Sequence, residues 1–130
     1  MKIGVDLDGT LTSVGLYNTD TKLPWWCALW LIFVWPNKMM IKILQRLKER
    51  EDEIIIVSAR PKQLENLTQY WCKKHKIPID RIICIGTGEK VEERKLEIIR
   101  KENIKMFIDD DSKIVSYLKE KGIDAYFPSK

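Results

Sequence analysis

Five short apolar runs punctuate the chain, at residues 2–7, 53–57, 82–85, 105–108 and roughly 124–127. The run Ile54-Ile55-Ile56-Val57 shows no polar alternation, which suits a strand covered on both faces, as parallel sheets require. Between the runs, apolar positions recur at helical spacing. Asn37 can cap a helix over residues 38–50 with Met40, Ile43, Leu44 and Leu47 on one stripe. Pro61 suits the first turn of the next helix, which runs to about residue 76 with Leu64, Leu67 and Trp71 inward. A third covers about 91–101 with Leu96, Ile98 and Ile99, and a fourth covers about 112–121 with Ile114, Val115 and Leu118. Lys119 and Lys121 suit the negative end of that last helix, and Gly122 its stop. Strand and helix alternate, which predicts a Rossmann-like α/β fold. Its core is an open parallel sheet of about five strands, with helices on both faces and right-handed crossovers.

One stretch breaks the alternation. Residues 12–36 have mixed signals and no strand partner, and they are long for a connection in a compact domain. The chain is therefore expected to be a single domain over 1–130, with 12–36 inserted after the first strand as a flap, small cap or interface element. Within the insert every residue from Trp25 to Trp35 is apolar or aromatic, closed by Pro24 and Pro36. Spanning a bilayer takes about 20 such residues, so no transmembrane span is expected. An element apolar all round must be covered by something. A homo-oligomer interface through 24–36 is the first expectation and a lid over the site the second. Shallow membrane association comes third, because the segment lacks a basic polar face.

At 130 residues, the chain can bury a core without disulfides. A 45% hydrophobic and 32% charged balance is that of a globular protein. The net charge of +4 favours anionic ligands in a general way. The aromatics of residues 25–35 are not interleaved with Lys or Arg, and the charge excess is small, so no nucleic-acid partner is expected. Cys27, Cys72 and Cys84 are odd in number and lack CxxC spacing. They read as buried thiols in a reducing compartment, which points to a cytoplasmic location. The N-terminus reaches Asp6 at once and is not a secretory signal. His75, the only histidine, is expected at the surface.

The chemistry gathers at strand ends, where ligands bind in open α/β sheets. The first strand ends in Asp6-Leu7-Asp8-Gly9-Thr10-Leu11-Thr12, the second in Ser58-Ala59-Arg60-Pro61 and the fourth in Asp109-Asp110-Asp111. Crowded carboxylates repel unless a cation compensates. Oxygen ligands without a His or Cys cluster suit Mg²⁺. Gly9 permits the abrupt turn after the strand. One aspartate can then attack phosphorus while the next protonates the leaving oxygen. Asp111 suits a helix cap, Arg60 is either an anion contact or a surface arginine, and Gly86-Thr87-Gly88 reads as a turn.

These residues resemble the haloacid dehalogenase superfamily of phosphatases. The stretch from Asp6 to Thr12 (DLDGTLT) is similar to its first motif, Ser58 to its second, Lys95 to its third and Asp109-Asp110 to its fourth, in the family's order over nearly the whole chain. The resemblance implies a capless or minimally capped hydrolase of phosphomonoesters. Asp6 would be the nucleophile and a metal ligand. Asp8 would be general acid then base, with its backbone carbonyl on the metal. Ser58 and Lys95 would hold the transferring phosphoryl group. Asp109 would ligate Mg²⁺ with Asp110 nearby, the direct ligand of the two being open. Gly9, Thr10, Ser58, Ala59, Arg60 and Lys95 are the candidate contacts to a small phosphorylated substrate. Lys90 and Lys101 rival Lys95, which the spacing to Asp109 favours. Asp8 argues against dehalogenase chemistry, which has no leaving oxygen to protonate. Ser58-Ala59-Arg60-Pro61 looks somewhat like the deoxyribonucleotidase-related branch, and so toward nucleotides. The alternatives are a phosphotransferase or mutase of the same superfamily, and a non-catalytic phosphate-binding module that dimerises through the Trp-rich segment.

Overall fold

A computed structural model describes residues 1–7, 10–11, 35–86 and 88–127. Five parallel strands form one sheet: β1 (Lys2–Val5), β2 (Glu53–Ser58), β3 (Arg81–Cys84), β4 (Met106–Ile108) and β5 (Asp124–Tyr126). Their order is β3-β2-β1-β4-β5, and every neighbouring pair is parallel. Among the described residues four helices connect them: α1 (Lys38–Glu49), α2 (Glu65–Lys74, entered through a 3-10 turn at Lys62–Leu64), α3 (Val91–Lys101) and α4 (Ser112–Glu120). The expected Rossmann-like parallel sheet is what the chain forms. The insert expected at 12–36 falls on residues outside the described ones, except Trp35 and Pro36.

The all-apolar run of β2 is explained by its position. Ile54 and Ile56 pack into one core layer with Met40, Leu44 and Leu47 of α1 and Trp71 of α2. Ile55 and Val57 pack into the other with Leu96 and Ile99 of α3 and Ile114, Val115 and Leu118 of α4. Residues alternate between two faces along a strand, and here both faces are covered, so no polar position is left. Asn37 caps α1, its side chain accepting from the backbone N–H groups of Met39 at 3.1 Å and Met40 at 3.3 Å. Asp111 caps α4 by accepting from Lys113 N at 2.9 Å.

Two expectations about single residues are corrected. The Arg60 side chain is not on the surface: it is buried, and its Nη1 donates to Thr68 Oγ1 of α2 at 2.9 Å. His75 is half-buried, its ring 4.9 Å from that of Trp71, because it lies one helical turn further on the same face, its N–H donating to Trp71 O at 3.1 Å. Burial, with some help from Lys74, lowers its pKa. Cys72 and Cys84 are free and buried as expected. Burial pushes the Cys72 thiol up to about 12. Cys27 lies outside the described residues. Among the described residues, no helix is long and apolar enough to cross a membrane.

Candidate active site

The strand order creates one switch point. From β1 the chain moves outward to β2 and β3, and from β4 it moves outward the other way to β5. Between such strands the following helices lie on opposite faces, which opens a crevice beyond the carboxyl ends. Asp6 follows β1 and Asp109 follows β4, so the two carboxylates flank that crevice. The sheet ladder holds both: Asp6 N donates to Ile108 O at 2.8 Å, and Asp109 N to Tyr126 O at 3.1 Å.

Lys95 bridges them. Its Nζ lies 3.0 Å from Asp6 Oδ1 and 2.7 Å from Asp109 Oδ2, and all three side chains are fully buried. It arrives from α3, where Val91, Lys95 and Ile99 are buried at four-residue spacing, so a lysine occupies the middle of a helix's core stripe. The Phe107 ring supports it from below, its centroid 5.7 Å from Nζ. Burial alone would lower the Lys95 pKa, but the charges of Asp6 and Asp109 and their hydrogen bonds outweigh it and hold the pKa above the ordinary lysine value. The ammonium is therefore fixed as a cation. Lys90 and Lys101, its rivals by sequence, are exposed.

The remaining groups complete a polar nest. Buried Thr10 places its hydroxyl 3.4 Å from Asp6 Oδ2 and 3.5 Å from Asp110 Oδ1. Asp109 Oδ1 accepts from Asp111 N at 3.0 Å, which leaves its other oxygen to Lys95. Asp110 is half-buried, and burial followed by the charge of Asp109 raises its pKa, while a hydrogen bond with Asp6 pulls the other way. Ser58 is fully buried at the end of β2, its Oγ accepting from Arg60 N at 3.1 Å. Ala59 is buried in the core layer of α3 and α4. Asp8 and Gly9 lie outside the described residues, as does Thr87.

The donor set fits a hard divalent cation. One carboxylate oxygen from each of Asp6, Asp109 and Asp110 lies within 4.8 Å of the others. These three carboxylates outnumber the single ammonium of Lys95, and oxygen-only ligands suit Mg²⁺. The charge of Asp109 adds to burial in raising the Asp110 pKa, a repulsion that a cation between the two carboxylates would relieve.

Solved structures share this architecture. A chain of the Pnkp1/Rnl/Hen1 complex superposes on 99% of the present chain at TM-score 0.77 and 21% identity. The HAD domain of effector protein Lem4 from Legionella pneumophila does so over 99% at TM-score 0.58 and 15% identity. The D,D-heptose 1,7-bisphosphate phosphatase from B. bronchiseptica, complexed with magnesium and phosphate, does so over 98% at TM-score 0.68 and 10% identity. The chain has the haloacid dehalogenase fold. It spans under half the length of the Pnkp1/Rnl/Hen1 chains, 47% and 43% in two structures. No family model and no curated protein matches the sequence.

Within this fold, sequence reasoning did not single out several residues that shape the site. Phe107 underlies Lys95, and Thr68 anchors Arg60. Glu65 accepts from Cys84 N at 3.1 Å, which ties α2 to the end of β3. Phe107 and Thr68 carry no motif signal, since one acts by packing under Lys95 and the other by accepting from Arg60, contacts that only the tertiary fold makes. Position 95 did carry one: it falls on the stripe of 91 and 99, where a lysine is out of place unless paired.

Proposed function

We propose that the chain is a Mg²⁺-dependent phosphomonoesterase working through an aspartyl-phosphate on Asp6. The observation that carries this reading is the buried Lys95 ammonium between Asp6 and Asp109 at the switch point of the sheet. Pinned there, it stabilises charge at the reacting centre without reorganising, and it keeps the Asp6 carboxylate ionised and ready to attack.

In the first step an oxygen of Asp6 bonds to phosphorus while the ester oxygen leaves and takes a proton from Asp8. In the second, Asp8 removes a proton from water, the water oxygen bonds to phosphorus, and the Asp6 carboxylate is released with inorganic phosphate. Ser58 and Lys95 donate hydrogen bonds to the phosphoryl oxygens in both steps. The Thr10 hydroxyl, between Asp6 and Asp110, orients the two carboxylates. Asp6, Asp109 and Asp110 would hold the Mg²⁺. When bound, the ion neutralises phosphate charge so that a carboxylate can approach it.

Nucleotides and small phosphate esters are the proposed substrates. Against the expectation of no nucleic-acid partner, phosphorylated RNA ends join them, because the Pnkp1 chains that share the fold come from an RNA repair complex. The proposal includes a cytoplasmic location, where the free thiols of Cys72 and Cys84 stay reduced. It also includes self-association through residues 24–36, in keeping with Trp35 standing 75% exposed at the end of that segment. Light scattering of wild type against Trp35→Ser checks the last point.

The test of the chemistry is phosphate release from a panel of nucleotides, sugar phosphates and phosphorylated oligonucleotides, with and without Mg²⁺. Metal-dependent turnover that disappears in both Asp6→Asn and Asp8→Asn is expected. Folded, magnesium-binding protein that turns over nothing in the panel would move the reading to the non-catalytic phosphate-binding module. Transfer to added alcohols in place of water would move it to a phosphotransferase.

A further inference from the structure

Arg94 precedes Lys95 on α3 but serves a different part of the molecule. Its Nη1 donates to the carbonyl of Ile85, just past β3, at 2.7 Å. Its Nε and Nη2 are screened from solvent and, among the described residues, have no hydrogen-bond partner. These two nitrogens form one edge of the guanidinium, the edge that matches the paired oxygens of an oxyanion. A guanidinium keeps its charge at any accessible pH, and covered N–H groups without an acceptor are costly. The edge calls for an acceptor that the described residues do not supply.

Arg94 lines a groove of about 640 Å³ together with Lys62, Gln63, Gly86, Ile98 and one carboxylate, Glu97, whose charge the two cations Arg94 and Lys62 outnumber. The groove adjoins the candidate active site. Ile85 N donates to Ser58 O at 2.8 Å and Gly86 N to Arg60 O at 2.9 Å, so its floor is the strand end beside Ser58. Two strand spacings separate the end of β1 from that of β3, roughly 10 Å. Lys62, exposed at the rim, adds a second cation.

We infer that this groove is a second oxyanion subsite, in which Arg94 takes a distal phosphoryl group of the substrate through Nε and Nη2. The substrate class is then a bisphosphorylated small molecule whose second phosphate lies about two strand spacings, roughly 10 Å, from the one attacked. Because the edge is covered, binding requires the side chains around it to move. The inference rests on the phosphatase reading for the identity of the first phosphate, but the subsite itself is testable without turnover.

The experiment uses fructose 1,6-bisphosphate, fructose 6-phosphate and p-nitrophenyl phosphate with wild type, Arg94→Gln and Arg94→Lys. It also follows the Arg94 Nε–H resonance in ¹⁵N-labelled, Mg²⁺-free protein. Wild type is expected to show a KM for the bisphosphate about tenfold below that for fructose 6-phosphate, the scale of one charge-assisted hydrogen-bonded pair. Arg94→Gln should raise the bisphosphate KM about tenfold more than the p-nitrophenyl phosphate KM, with Arg94→Lys between, because an ammonium keeps the charge but not the paired donors. The Nε–H resonance should shift with the bisphosphate and not with succinate. Hydrolysis of p-nitrophenyl phosphate with equal KM values and an unmoved resonance overturns the subsite and leaves the phosphatase standing. A moved resonance without hydrolysis of any ester supports the subsite and removes the phosphatase. A shift with succinate as large as with the bisphosphate overturns the phosphate assignment.

Discussion

At the scale of single residues, the account turns on charges that are affordable only together. Removing Lys95 leaves Asp6 and Asp109 buried and facing each other across its place. Lys95→Met should therefore lose activity and about 3–5 kcal/mol of stability at neutral pH, the cost of breaking a buried ion pair from one side. Urea denaturation measures it. The pH response has a definite sign. In wild type the Lys95 pKa is raised on folding, so its contribution is fully present below the ordinary lysine value of 10.5 and is lost as pH climbs through the higher folded value. In Lys95→Met two buried carboxylates face each other without their cation, a repulsion that protonation relieves, so the variant should instead gain stability as pH falls from neutral toward about 4. A variant whose stability follows the wild-type curve through that window would contradict the pairing. Lys90, exposed and in left-handed conformation at φ 59°, should tolerate Lys90→Ala with turnover within a factor of about two, as for a surface position. These roles were partly legible in the sequence: the aspartates announced themselves by sitting after apolar runs. The choice of lysine rested on spacing, although the helical stripe through Val91 and Ile99 also marked position 95. The Arg60–Thr68 contact was not legible, because it depends on how α2 packs beside β2.

At the scale of elements, one strand contact links the core to the chemistry. Gly4 pairs with Phe107 across β1 and β4, and a Cβ at Gly4 would sit 2.5 Å from Phe107 Cδ1. That separation is impossible without movement, and the ring that must move is the one beneath Lys95. Gly4→Ala should cost about 1–3 kcal/mol by overpacking and lower kcat as well, since displacing Phe107 tilts the Lys95 stem. Full activity in a folded Gly4→Ala variant would show that the ring does not position the lysine. By contrast Asn37→Ala, which removes the cap of α1, should cost about 1 kcal/mol and leave kcat alone, because α1 contributes no side chain to the carboxylate nest described above. Thermal denaturation alongside steady-state kinetics separates the two outcomes. Helices α1, α3 and α4 were readable to within a residue because each carries a strong apolar stripe, and α1 and α4 a side-chain cap as well. The helix expected from Pro61 instead begins as a 3-10 turn, with α2 ending at Lys74. The β3 boundary was one residue off at each end, since Arg81 opens the strand and its guanidinium pairs with Glu102 at 2.7 Å.

At the scale of the whole molecule, a parallel sheet with a single switch point gathers residues from 6 to 110 into one nest, and the acid-rich nest calls for a cation. Mg²⁺ should raise the melting temperature, by about 2.7 kcal/mol of stability at a hundred times its dissociation constant. Most of that gain should vanish in Asp109→Asn. Asp110→Asn should stabilise the Mg²⁺-free protein slightly, because the raised pKa of Asp110 means that folding disfavours its charge at neutral pH. It should also weaken the Mg²⁺ response. A melting temperature indifferent to Mg²⁺ in wild type would remove the metal from the proposal.

The covalent intermediate is the central claim, and it can be trapped. In Asp8→Asn the base that releases the phosphoryl group is gone. A p-nitrophenyl ester, whose leaving group needs no acid, should still phosphorylate the enzyme. Acid quenching, borohydride reduction and peptide mass spectrometry should then find homoserine at position 6 and at no other aspartate. Steady turnover by wild type with no modified residue 6 in the trapped variant, and activity retained in Asp6→Asn, would contradict the account.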